Sequence, residues 1–200
     1  MVLVSRGAPD FTASAVLGSG EIIDNFNLLD YIDKKEAIVF FWPMDFTFVC
    51  PSELIACDKR YIEFQKRNVE VIGVSIDSVF VHSAWRKIPI SQGGIGSLQY
   101  TMVSDVKHEI IKKYGIEHLD KGVALRASFL IDKLGVIRHQ VVNDLPFGRN
   151  FDEMIRMVDA LQFHEIHGLL CPAQWSENKE GLEASQQGVI NYLIGNFSQL

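Results

Sequence analysis

Dense apolar runs alternate along this chain with stretches where apolar residues recur at helical spacing. Ile38 to Trp42 (Ile-Val-Phe-Phe-Trp) and Glu70 to Ile76 (Glu-Val-Ile-Gly-Val-Ser-Ile) are short and rich in β-branched and aromatic side chains. Both predict buried strands, the first stopped by Pro43. Ala127 to Ile131 and Val136 to Val142 predict two more, joined by Asp132-Lys133-Leu134-Gly135, a good hairpin turn. Ala8-Pro9-Asp10-Phe11 opens an N-terminal segment that reads as a hairpin turning at Gly18-Ser19-Gly20.

Helical spacing is clearest from Pro51 to Arg67 and then from Asn150 to His164, where Met154, Ile155, Val158, Leu161 and Gln162 share a mostly apolar face. Val79 to Arg86 and Val106 to Tyr114 are shorter candidates. Strand, helix, strand, helix, then a hairpin and a helix is the order of a thioredoxin-like α/β sandwich, although other α/β folds share it. Past Cys171-Pro172 the chain turns polar from Ala173 to Glu183, before a short apolar stripe of Val189, Ile190, Tyr192 and Leu193. The expected organisation is one domain over residues 1–165 and a docking C-terminal arm over 166–200.

Composition narrows the function classes. At 200 residues, 48% hydrophobic and 22% charged, the chain has material for a sizeable core and is too apolar for disorder. A formal charge of −6 argues against nucleic acid as the main partner, since phosphate binding wants a basic patch. No apolar run reaches about 18 residues, so no membrane span is expected. The start, Met1-Val2-Leu3-Val4-Ser5-Arg6-Gly7, lacks the pattern of a signal peptide. Three cysteines are too few and too odd for a secreted disulfide scaffold, so cytoplasmic residence is the default.

Cys50 stands at the junction of strand and helix, where backbone N–H groups without intrahelical partners favour a thiolate over a thiol. At about 100° per residue, Cys50, Leu54, Cys57, Tyr61 and Phe64 fall on one face, and Lys59, Arg60, Glu63, Lys66 and Arg67 on the other. Cys50 thus begins the buried stripe and faces the positive end of the helix dipole. Pro51 costs no hydrogen bond in the first turn. The plainer reading, a small core residue that happens to begin a helix, is weakened by the flanking prolines and by Thr47 one turn away.

Cys57 lies about 10.5 Å further along a helix rising 1.5 Å per residue, beyond the roughly 7 Å between Cα atoms that a disulfide allows. It reads as an inert core thiol. Cys171 lies in the non-helical Gly168-Leu169-Leu170-Cys171-Pro172, where it is either an ordinary loop cysteine or one that moves to meet another sulfur. No Cys-x-x-Cys occurs, so the usual dithiol of a thioredoxin is missing. His164, His167 and Cys171 could suggest a metal site, but histidines at a helix C-terminus are favoured by the dipole without any ligand role. Gly18-x-Gly20 and Gly93-Gly94-x-Gly96 are too incomplete for a phosphate or dinucleotide loop.

The stretch Pro43-x-x-x-Thr47-x-x-Cys50, inside Phe40-Phe41-Trp42-Pro43 and Phe46-Thr47-Phe48-Val49-Cys50-Pro51-Ser52-Glu53, matches the peroxiredoxin signature. Further matches follow in order: Gly73-Val74-Ser75-Ile76-Asp77-Ser78, His82-x-x-Trp85, Gly93-Gly94-Ile95-Gly96 and Ala124 to Asp132. Asn143-Asp144-Leu145-Pro146-x-Gly148-Arg149 and Cys171-Pro172-Ala173-x-Trp175 complete the set. The chain resembles the typical two-cysteine peroxiredoxins of the alkyl hydroperoxide reductase type.

That resemblance implies a thioredoxin-like fold and a thiol peroxidase acting on hydrogen peroxide and organic hydroperoxides without metal or organic cofactor. It implies that Cys50 is the peroxidatic cysteine, that Thr47 sets a hydroxyl against the thiolate and that Pro43 shields the pocket from water. Arg126 would lower the thiolate pKa and hold the peroxide oxygens, oriented by Glu53 and Arg149. Cys171 would be the resolving cysteine, supplied by the partner subunit of a homodimer, with dimers assembling into a decamer. The implied reductant is a dithiol, thioredoxin-like or a flavoprotein reductase. Members with a Gly-Gly-Leu-Gly loop and a Tyr-Phe pair near the C-terminus overoxidise readily; this chain has Gly93-Gly94-Ile95-Gly96 but Tyr192-Leu193, which argues for intermediate or robust behaviour. Two other functions fit some of the same residues: a thiol–disulfide carrier, and a ring-forming holdase chaperone.

Overall fold

The computed structural model describes residues 1–199, so Leu200, the end of the expected arm, lies outside the described residues. The chain divides into two compact units, Met1–Phe151 and the residues from Asp152 onward.

The first unit is a seven-stranded sheet with helices in its connections. In chain order its elements are β1 (Thr12–Val16), β2 (Ile22–Asn27), α1 (Leu28–Ile32), β3 (Glu36–Phe41), α2 (Cys50–Lys59), α3 (Tyr61–Lys66), β4 (Val69–Ser75) and α4 (Val79–Arg86). Then come β5 (Thr101–Ser104), α5 (Glu109–Lys113), β6 (Arg126–Ile131) and β7 (Ile137–Asn143). The spatial order is β2-β1-β5-β4-β3-β6-β7. β3 pairs parallel with β4 and antiparallel with β6, so the α2–α3 segment is the crossover that a parallel pair requires. This is the expected thioredoxin-like α/β sandwich with its N-terminal hairpin.

Every residue of β3 is buried, which is why its sequence reads as an unbroken apolar run after Glu36. One core cluster gathers Val39, Phe41, Ile72, Val74, Val103, Ala127 and Phe129 from the central strands. Gly73 is required by close approach: a Cβ there would lie 2.7 Å from Cζ3 of Trp42 and 3.0 Å from Cζ of Phe40. The β6–β7 turn is held by Asp132, whose Oδ1 accepts from Leu134 N at 2.9 Å and Val136 N at 2.8 Å, with Gly135 at φ 77°.

Three helical expectations change. Pro51 to Arg67 is two helices, because the Arg60 backbone N–H turns back to Cys57 O at 3.0 Å and tightens the last turn of α2. The Ala56 carbonyl freed by that break takes Nη1 of Arg60 at 3.3 Å. Tyr61 accordingly leaves the buried stripe and is half-buried, whereas Cys50, Leu54, Cys57 and Phe64 stay fully buried. The helix expected from Val106 begins only at Glu109, since His108 adopts a left-handed φ of 58° and the Asp105 carboxylate caps Ile110 N and Ile111 N from outside. β5 and α1 had no counterpart in the apolar pattern, being four and five residues long.

In the second unit, α6 runs from Phe151, the last residue of the first unit, to His167, three residues past the expected end. Leu170 bridges Leu182, and α7 (Gln186–Asn196) starts from Ser185, whose hydroxyl accepts from Gly188 N at 2.9 Å. The stripe of Val189, Ile190 and Leu193 is therefore helical, and it remains exposed.

Candidate active site

Strand β3 ends at Phe41, Pro43 prevents its continuation, and the chain loops to the first residue of α2, Cys50. Val49 provides no side-chain cap, Pro51 has no N–H, and the N–H groups of Ser52 and Glu53 turn back to the Val49 carbonyl at 3.1 and 3.3 Å, so what faces the sulfur is the positive end of the α2 dipole and not a set of free donors. The sulfur is fully buried and has two polar neighbours. Thr47 Oγ1 lies 2.8 Å from Sγ and Arg126 Nη1 lies 3.2 Å from it. The Thr47 hydroxyl also has Met44 O at 2.9 Å, so its one proton is divided between the carbonyl and the sulfur.

Arg126 begins β6, and its guanidinium is fixed on two sides. Nε donates to Leu145 O at 2.6 Å, and Nη1 donates to Glu53 Oε2 at 2.6 Å while also facing the sulfur. Burial pulls the Arg126 pKa down, but Cys50 and Glu53 outweigh it and hold it above the ordinary value. Glu53, one turn after Cys50, is itself buried and bridges two cations. Its Oε1 accepts the backbone N–H and Nε of Arg149, each at 2.8 Å. Arg149 continues to the carbonyls of Phe41 and Ala127 and lies over the ring of Phe40 at 5.3 Å. Arg149 thus reaches Arg126 by way of Glu53.

Pro43, Thr47 and Arg126 share with Val123, Leu145 and Pro146 the wall of a cavity of about 490 Å³. Cys50 lies behind Thr47 and Arg126, so a molecule entering that cavity meets the hydroxyl and the guanidinium that also touch the sulfur. The backbone carbonyls of Leu145 and Met44 were not read from the sequence. Every residue carries a carbonyl, so no side-chain pattern announces which one is used.

Cys57 is buried in α2, and burial pushes its thiol well above the usual range, against the opposing charge of Arg149. Cys171, in the second unit, is half-buried with Sγ 3.4 Å from Ala160 O. Burial raises its thiol pKa, and Arg156 opposes the shift. All three cysteines are free. His164 Nδ1 donates to Leu169 O at 2.8 Å and the His167 ring packs on Phe163, so helix-end contacts account for both. Among the described residues, no three His, Cys, Asp or Glu side chains gather to hold a metal.

A buried sulfur at a helix start, faced by a hydroxyl and an arginine on a thioredoxin-like sheet, defines a thiol-dependent peroxidase. The chain belongs to the AhpC/TSA family, which matches residues 4–140, and residues 160–195 match the C-terminal domain of 1-Cys peroxiredoxin. It is 58% identical over 198 residues to alkyl hydroperoxide reductase C of Buchnera aphidicola subsp. Schizaphis graminum, covering 99% of this chain and 100% of that protein. Alkyl hydroperoxide reductase C of Helicobacter pylori is 51% identical over 199 residues, covering 100% of each. The reduced 2-Cys peroxiredoxin of Plasmodium vivax superposes with a TM-score of 0.93 at 44% identity, covering 97% of this chain and 100% of that one. The chain is thus a thiol-dependent peroxidase of the peroxiredoxin kind. Among the described residues, no helix is long and apolar enough to cross a membrane.

Proposed function

We propose that this peroxidase reduces hydrogen peroxide and organic hydroperoxides at Cys50 and completes its cycle through Cys171. The observation that carries the reading is the sulfur held between Thr47 Oγ1 at 2.8 Å and Arg126 Nη1 at 3.2 Å. The Cys50 thiolate attacks the terminal peroxide oxygen, the O–O bond breaks, and the departing alkoxide or hydroxide takes a proton to leave as alcohol or water. Sulfur loses two electrons and becomes a sulfenic acid; the peroxide gains them. Arg126 stabilises both the thiolate and the charge growing on the leaving oxygen. Thr47 orients the sulfur, Pro43 keeps water out, and Glu53 with Arg149 steadies Arg126.

The sulfenic acid then condenses with the Cys171 thiol of a partner subunit, releasing water and forming a disulfide. Because Cys50 is fully buried, this step requires the first turn of α2 to unwind. A helix start without a side-chain cap makes that opening cheaper. Two thiols of a thioredoxin-like or flavoprotein reductant restore the starting state. Residues 1–165 form the peroxidase domain and 166–200 the arm carrying the resolving thiol. The assembly is a homodimer that builds a decamer, working in the cytoplasm.

Stopped-flow oxidation of the reduced protein by several peroxides tests this reading. Cys50→Ser is expected to abolish turnover, and Cys171→Ser to prevent the covalent dimer on non-reducing gels. Normal peroxidase activity in Cys50→Ser, or a disulfide mapped to Cys57, would overturn it.

A further inference from the structure

Of the residues between Pro43 and Cys50, Asp45 is the one whose side chain is buried; Phe48 stands in solvent and Phe46 is more than half exposed. Asp45 is anchored on every polar atom but its carbonyl. Its Oδ1 accepts Trp42 Nε1 at 2.8 Å, its Oδ2 faces His82 Nδ1 at 2.7 Å, and its backbone N–H donates to Asp77 Oδ2 at 2.8 Å. Ser75 Oγ donates to the same Asp77 oxygen at 2.7 Å. His82, on α4, is fully buried, and its Nε2 faces Val103 O at 3.2 Å. An acceptor faces each ring nitrogen, so the pair carries a proton at Nε2 and another between Nδ1 and the Asp45 carboxyl.

The Asp45 N–H and the Met44 carbonyl belong to one planar peptide unit. Asp77 holds its N–H side, and Thr47 Oγ1 hangs from its oxygen at 2.9 Å while touching the Cys50 sulfur at 2.8 Å. Between Asp45 and Thr47 the chain passes through Phe46 at a left-handed φ of 57°, a conformation that needs support from its surroundings. We propose that Asp45 and His82 are positioning residues for peroxide reduction: their buried pair fixes the Met44–Asp45 peptide, and thereby sets the balance between the loop that presents Thr47 to Cys50 and the unwound loop that forms the disulfide. The proposal rests on the assignment of Cys50 as the peroxide-reactive thiol.

The pair acts through Thr47 and touches no substrate. Weakening it therefore shifts a population between two states and moves the two half-reactions in opposite directions. The test uses the full chain carrying Asp45→Asn, His82→Gln or both. Asp45→Asn keeps shape and the acceptor for Trp42 but removes the carboxylate facing His82. Stopped-flow measurements give the rate of Cys50 oxidation by hydrogen peroxide and the rate of the following disulfide step. Either single variant is expected to slow oxidation about tenfold and to speed disulfide formation several-fold, with the double variant no worse than the worse single one. Ser75→Ala, which removes one donor from Asp77, should shift both rates the same way by a smaller factor and serves if the other variants do not fold. Unchanged rates overturn the inference, as does a parallel fall of both rates, which is what loss of structure alone would produce. A Cys50→Ser protein that still turns over peroxide would strike the underlying assignment instead, independently of how Asp45→Asn behaves.

Discussion

Replacing Arg126 by Gln removes the cation facing the sulfur, and the structure allows the loss to be sized. Nη1 divides its two protons between Cys50 Sγ at 3.2 Å and Glu53 Oε2 at 2.6 Å, with side chains of Arg126 and Glu53 only 5% and 2% exposed. A hydrogen bond to a charged group contributes about 1.5–3 kcal/mol, and the leaving oxygen draws on the same donors as its charge grows. Taking about 3 kcal/mol in total gives a roughly 10²-fold slower oxidation of Cys50. Stranding Glu53 Oε2 without its donor costs stability as well, about 2–3 kcal/mol, or a midpoint lower by about 4–12 °C in a chain of this size. Stopped-flow oxidation at 25 °C, with thermal unfolding followed in parallel, separates the two effects. Arg126→Lys keeps a charge but not the fork that spans Leu145 O, Glu53 and the sulfur, so it should fall between the parent and Arg126→Gln. An Arg126→Gln protein that is folded at the assay temperature and oxidised within about threefold of the parent rate would refute the argument, since that margin is under 1 kcal/mol.

Two more perturbations test the Cys171 thiol and the sheet. Burial holds the Cys171 thiol above its ordinary pKa and Arg156 opposes that rise, so Arg156→Gln in a Cys50→Ser background should raise it further. Less thiolate at any given pH then moves the alkylation profile of Cys171, followed by mass spectrometry, to higher pH; no displacement, or one to lower pH, contradicts the assignment. Gly73→Ala would place a Cβ 2.7 Å from Trp42 Cζ3 in a central strand, an overpacking expected to cost about 1–3 kcal/mol. A thermal midpoint equal to the parent's would show that the two rings yield freely.

Where chemistry depends on neighbours in the chain, the residues announced it. Thr47 stands three positions before Cys50, so a strand stop followed by a helix start brings hydroxyl and sulfur together; Glu53, one turn further on, came into view through the family resemblance. The buried strands β3, β4 and β6 and the β6–β7 hairpin were legible for the same reason, since apolar runs, turn residues and Pro43 act over a few positions, whereas the four buried residues of β5 were too few to register. The break at Arg60 and the late start of α5 were not legible. In both, a hydrogen bond to the end of the helix competes with one more turn, and helical spacing does not register that competition.

Arg126 and Arg149 came into view through family resemblance, because they lie 76 and 96 positions from the residues they serve. What brings Arg126 to the sulfur is the register of β6 on β3, running from Ala37 opposite Ile131 to Phe40 opposite Ser128. It sets the first residue of β6 beside the end of β3, where the chain enters the Cys50 loop. His82 read only as a letter in a matching motif, and Asp45 as an unread position inside another, until the fold set His82 Nδ1 2.7 Å from Asp45 Oδ2 and its Nε2 3.2 Å from Val103 O of β5. The chain's local order decided which groups could be reactive. The tertiary structure decided which charges face one another, because removing them from water is tolerable only when folding supplies partners of fixed geometry.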